Sequence, residues 1–137
     1  MPPRADFYLL KQADEHTQLM NACRIIEKAY LKSHQIYVFC ADQIQADTLD
    51  KLLWEFKDIS FIPHNISDAP VWIGYAESPF PHFSDILINL AQNIPDFFNH
   101  FQRIIEIIPE NPKSRENARE KYRFYRENQC ELHSHHL

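Results

Sequence analysis

Asp85-Ile86-Leu87-Ile88-Asn89-Leu90 and, further on, Arg103-Ile104-Ile105-Glu106-Ile107-Ile108-Pro109 are short, almost continuous apolar runs rich in isoleucine. Runs of this length without polar alternation fit strands buried on both faces, the pattern of a parallel sheet. Working outward, Pro95 to Phe101 reads as a short helix between them, and Asn111 to Asn128 is strongly helical. Upstream, Phe7-Tyr8-Leu9-Leu10 is a first strand, and Gln35 to Ala41 a second buried one. Between these two, Leu19, Cys23, Ile26 and Tyr30 recur at helical spacing within Thr17 to Ser33. Asp42 is a suitable N-cap for a helix carrying Ala46, Leu49, Leu52, Leu53 and Phe56. Pro70-Val71-Trp72-Ile73-Gly74-Tyr75 reads as a further strand, before Pro79 and Pro81 break the chain. Strands alternating with helices predict an α/β single-domain, three-layer sandwich of Rossmann-like type, its sheet mainly parallel and covered on both faces.

Composition narrows what such a scaffold can do. The 137 residues are 45% hydrophobic and 24% charged, the mix of one ordinary globular domain. No apolar run approaches the ~20 residues of a membrane span, and the opening Met1-Pro2-Pro3-Arg4-Ala5-Asp6 lacks the apolar core of a signal peptide. Cys23, Cys40 and Cys130 are too few for a disulfide framework and fit a reducing, cytoplasmic setting. Gly74 is the sole glycine. A Walker loop or a dinucleotide fingerprint needs several, because backbone amides must approach the phosphate closely, so neither can be built here.

Charge is unevenly spread. Six basic residues against two acidic ones lie between Lys113 and Arg126, which leaves eight basic and seventeen acidic elsewhere. A basic terminal helix on an acidic body points to an anionic partner. At about 100° per residue, Arg115, Arg119, Tyr122 and Arg126 share one stripe with Arg123 beside it, while Ala118, Tyr125 and the ring body of Tyr122 form the core-facing side. A solvated helix face reads the same way. The preference for arginine, whose planar fork suits carboxylate or phosphate, and the tyrosine among the cations favour a binding surface.

Catalytic sets are weak by comparison. Cys23 and Cys40 sit inside apolar patterns as core thiols, and no serine occupies a nucleophile elbow. His64, in a proline-stiffened loop, reads as a hydrogen-bonding residue. Cys130, His133, His135 and His136 lack a partner cluster for tetrahedral metal coordination, so 129–137 reads as a flexible tail behind a domain spanning 1–128. No metal or other cofactor is implied. Trp54 and Phe61 are read either as core aromatics or as partly exposed anchors for another protein.

Several blocks then fall in a telling order: Phe7-Tyr8-Leu9-Leu10, Leu49-Asp50-Lys51-Leu52-Leu53-Trp54, Ser60-Phe61-Ile62-Pro63-His64-Asn65, Asp85 to Leu90, Arg103-Ile104-Ile105-Glu106, and Ala118 to Arg126. From Phe7 to about Leu132 they resemble the chi subunit family of bacterial DNA polymerase III. The resemblance implies a clamp-loader accessory protein without an active site, with a Rossmann-like mixed sheet. It implies two partners, the psi subunit and the acidic C-terminal peptide of single-stranded-DNA-binding protein, with DNA reached only indirectly. For the peptide site it implies Ile108, Arg115, Arg119, Tyr122, Arg123 and Arg126. For the psi contact it implies Phe61, with Trp54 beside it, and a helicase-like protein is a further candidate partner for Phe61. Family members often carry a glycine just after the final helix, where this chain has Asn128-Gln129. A different class of function, direct nucleic-acid binding through the basic helix, is the alternative. The chain's net charge of −5 weighs against it.

Overall fold

Six parallel strands, in the order β3-β2-β4-β5-β1-β6, form the central sheet of a computed structural model that describes residues 2–56, 62–64, 69–76 and 84–137. The strands are β1 (Arg4–Leu9), β2 (Ile36–Phe39), β3 (Val71–Gly74), β4 (Ile86–Asn89), β5 (Arg103–Ile108) and β6 (Glu131–His136). Helix α1 (Glu15–Leu31) links β1 to β2, α2 (Gln43–Glu55) leads from β2 towards β3, and α3 (Pro112–Glu127) joins β5 to β6. A 3-10 turn at Phe98–His100 precedes β5. Each helix begins where a side chain caps a free backbone amide: Asp14 takes Thr17 N–H at 2.9 Å, Asp42 takes Gln45 N–H at 2.8 Å, and Asn111 takes Ser114 N–H at 2.8 Å.

Alternation along the strands divides the interior in two. Ile36, Val38, Ile86, Ile88, Ile105 and Ile107 pack with Leu19, Cys23, Ile26, Leu49 and Leu53 of α1 and α2. The intervening residues Tyr37, Leu87, Ile104 and Ile108, with Phe7 of β1, pack with Phe98, Phe101, Ala118 and Tyr125 on the α3 side. Among the described residues, no helix is long and apolar enough to cross a membrane.

Two expectations need correction. The sheet implied by the resemblance was mixed, whereas every strand pair in register here is parallel. The segment expected to be a flexible tail is a strand from Glu131 to His136, aligned with β1 from Arg4↔Glu131 to Leu9↔His136. As an edge strand it needs no continuous apolar run. Only Cys130 just before it is buried and Leu132 half-buried against the core, and its polar outer residues suit an open edge. The turn into it is tight: Cys130 N–H donates to Tyr125 O at 3.0 Å, with Gln129 left-handed at φ 62°.

Candidate functional site

Helix α3 is fixed to the sheet by a buried polar network as well as by apolar packing. Ala118, Lys121 and Tyr125 face inward at spacings of three and four. Lys121, only 5% exposed, donates from Nζ to Glu106 Oε1 at 2.9 Å and to Ala91 O at 2.6 Å. Glu106, 1% exposed in the middle of β5, accepts on Oε2 from Tyr125 Oη at 2.7 Å and from Asn89 Nδ2 at 2.9 Å. Burial first, and then the Glu106 charge, push the Tyr125 phenol well above its ordinary range. It therefore stays protonated and donates. The carboxylate thus has donors on both oxygens and a cation beside it, as a buried charge requires.

That network sets the rotation of α3 and with it the direction of the outer face. Against β1 and β6 the helix leaves a cleft of about 230 Å³ lined by Phe7, Leu9, Arg115, Ala118, Arg119, Tyr122 and Ser134. Tyr122, 38% exposed, lays its ring 5.5 Å from that of Phe7, which forms the apolar floor. Arg115 is anchored: its Nη2 donates to Leu10 O at 2.6 Å and lies 2.8 Å from Glu110 Oε2. Its Nε is buried without a hydrogen-bond partner among the described residues. Arg119, Arg123 and Arg126 are exposed, with no ion-pair partner among the described residues. Arg119 stands on the cleft wall, and Arg123 and Arg126 lie outside the lining. Ile108 is buried behind the cleft, level with Leu9 and in the same apolar cluster as Phe7. It lines a separate polar crevice of about 220 Å³ at the carboxyl ends of β4 and β5, together with Asn89, Glu106 and Lys121. Of the six residues expected at a peptide site, five lie on α3, but only Arg115, Arg119 and Tyr122 line the cleft; Arg123 and Arg126 lie outside it, and Ile108, at the end of β5, is buried behind it. Sequence reading missed Phe7, Leu9 and Ser134. Strand β1 brings in the first two, and Ser134 comes from the segment expected to be a tail.

The second candidate surface lies at the end of α2. Trp54 is 39% exposed and its ring centroid is 4.0 Å from that of buried His64. His64 donates from Nδ1 to Ile62 O at 2.8 Å, and its Nε2 lies 2.8 Å from Asp50 Oδ1 but off the line of a hydrogen bond. His64 is thus a buried hydrogen-bonding residue and Trp54 a surface aromatic resting on it. Phe61 lies outside the described residues.

Several groups with catalytic chemistry are buried or paired. Burial pushes the Cys23 and Cys40 thiols up to about 12, with Asp42 and Glu15 adding to the effect at Cys40, so neither is a ready thiolate. His133 Nε2 pairs with Glu131 at 2.6 Å. His135 Nε2 meets buried Asp6 at 2.8 Å while its ring stacks on Tyr8 at 4.6 Å.

Fold and cleft together define a parallel α/β protein with an amphipathic, cationic face on its final helix. The chain belongs to the DNA polymerase III chi subunit family: the family described as "DNA polymerase III chi subunit, HolC" matches residues 2–133. It is 43% identical over 138 aligned residues to the DNA polymerase III subunit chi of Pseudomonas aeruginosa, covering 98% of this chain and 96% of that one. It is 31% identical to the protein of the same name in Escherichia coli, over 89% of this chain and 90% of the other. The Haemophilus influenzae protein of that name is 30% identical over 90% of both chains.

Proposed function

We propose that this chain is a cytoplasmic, non-catalytic accessory subunit of the DNA polymerase III holoenzyme. In this reading it links the clamp loader, through psi, to the acidic C-terminal peptide of single-stranded-DNA-binding protein. The observation that supports it best is the α3 cleft, where an apolar floor of Phe7, Leu9 and Tyr122 meets the exposed cation of Arg119. An acidic peptide ending in phenylalanine needs both parts: a slot for the ring and donors for carboxylates. Arg115 holds the cleft wall, anchored to Leu10 O and Glu110. Arg123 and Arg126 extend the positive face along the peptide's acidic residues. Ile108 supports the floor from behind. On this reading Trp54, with Phe61 just before Ile62, contributes the apolar contact for psi.

Calorimetric titration of the full chain with the peptide tests the reading. Charge-assisted hydrogen bonds are worth ~1.5–3 kcal/mol each. Arg119→Ala is expected to weaken binding by roughly ten- to a hundredfold with the melting temperature unchanged. Affinity should fall as salt rises. Removing the terminal phenylalanine should be at least as damaging. Equal affinities for wild type and Arg119→Ala, or tighter binding of bare single-stranded DNA than of the peptide, overturn it.

A further inference from the structure

On the opposite face of the sheet, between α1 and strands β5 and β1, lies a groove of about 440 Å³. Its floor is apolar, from Tyr8, Ile25 and Ile105, and its rim is cationic, from Arg24, Lys28 and Arg103. Arg24 and Lys28 of α1 and Lys32 at its C-cap follow at intervals of four, all exposed and none with an ion-pair partner among the described residues. Arg103 is partly neutralised, its Nε donating to Asp6 at 2.8 Å and its Nη2 to Tyr8 Oη at 3.2 Å. Glu27 is the single acidic side chain in the lining, which also includes Leu137.

We propose that this groove is a second docking site, for an acidic protein segment that inserts one large apolar side chain, separate from the α3 cleft. Lysines near a helix C-terminus also favour the helix dipole, which accounts for Lys28 and Lys32 but not for a concave apolar floor beneath them. The volume and the floor suit one buried aromatic or aliphatic anchor, the usual centre of a protein contact. The cations suit flanking carboxylates. A polyphosphate strand fits less well, because it draws its affinity from many basic contacts and this chain is acidic overall.

The test uses the ¹⁵N-labelled full chain and the capped peptide acetyl-Asp-Asp-Leu-Phe-Asp-Asp-amide, whose blocked end lacks the terminal carboxylate sought at α3. Saturable amide shifts are expected at Arg24, Ile25, Lys28 and Ile105. Arg24→Glu and Lys28→Glu should each weaken them at least tenfold while leaving the fold intact by circular dichroism, and neither should alter affinity at the α3 cleft. Replacing the peptide's leucine and phenylalanine by serine should cost at least tenfold as well. Shifts absent from the groove, unchanged in both variants or indifferent to the apolar anchor overturn the proposal. So does oligothymidylate binding the same residues more tightly than the peptide.

Discussion

The two faces of the sheet are held to their helices by different means. Under α1 and α2 the contact is aliphatic, isoleucines and valines against Leu19, Ile26, Leu49 and Leu53. Under α3 an ionised pair, Glu106 and Lys121, sits in the interior with Tyr125 and Asn89 around it. Aliphatic packing is tolerant of small sliding and rotation. A hydrogen-bonded charge cluster fixes one rotation of the helix, because any other leaves a buried charge unpaired. The helix held in this stricter way is the one whose outer face carries Arg119 and Tyr122.

Breaking the cluster should therefore cost more than its size implies. Lys121→Ala leaves Glu106 buried without its cation and is expected to destabilise the chain by ~3–5 kcal/mol. Leu49→Ala on the other side should cost ~2–5 kcal/mol through lost burial and the cavity left behind. Rescue separates the two. Converting both partners, Glu106→Gln with Lys121→Met, should recover most of the loss, as apolar or neutral replacements of buried ion pairs often do. Urea unfolding of the single and double variants measures this. A double variant no more stable than Lys121→Ala would mean that the pair is not coupled as the geometry indicates.

How much of this was legible follows the same division. The aliphatic face was readable, because Ile86–Ile88 and Ile104–Ile108 announce buried strands by composition alone. The stripe of Arg115, Arg119, Tyr122 and Arg126 was readable because helical spacing is geometry. The cluster was not, since pairing Glu106 with Lys121 requires knowing that α3 crosses β5. Glu106 did carry a signal, a lone acid amid four isoleucines on a strand buried on both faces. Strand β6 was missed because an edge strand is specified by its neighbour's open hydrogen bonds rather than by its own apolar pattern. With it went Ser134 of the cleft and His135 on Asp6.

At β1 the aliphatic face gives way to a second buried charge, which sharpens the comparison. Burial alone would raise the Asp6 carboxyl, but hydrogen bonds from Arg4, His135 and Arg103 outweigh it and hold Asp6 below its ordinary range. A carboxyl depressed in the folded state contributes stability that is present above its unfolded value of about 3.9 and lost as pH falls through the folded one. Stability should therefore drop on acidification below about pH 4, and Asp6→Asn should remove part of that dependence. At neutral pH the same substitution should cost ~1.5–3 kcal/mol, the worth of a hydrogen bond to a charged group. Thermal melts of both proteins between neutral and acid pH check it. An unchanged pH profile in Asp6→Asn would place the acid sensitivity elsewhere.

The smallest expected effect lies at the turn that carries the chain from the strictly held helix to the edge strand. Gln129 sits at φ 62°, in the left-handed region where a Cβ costs ~1–2 kcal/mol and glycine nothing. Glycine also loses more backbone freedom on folding, which offsets part of that gain. Its side chain makes one local hydrogen bond, Nε2 to Glu127 O at 2.9 Å on the exposed surface, worth little against water. Gln129→Gly should therefore stabilise by up to ~1 kcal/mol, read as a small rise in melting temperature. The gain should reach β6 and not α3, because Glu106 and Lys121 already fix the helix. Amide exchange resolves the two: slower exchange confined to Cys130 through His136 is expected, the peptide affinity at Arg119 staying as it was. Destabilisation by Gln129→Gly would mean that the left-handed turn is held by the glutamine itself rather than imposed by the pairing of β6 with β1.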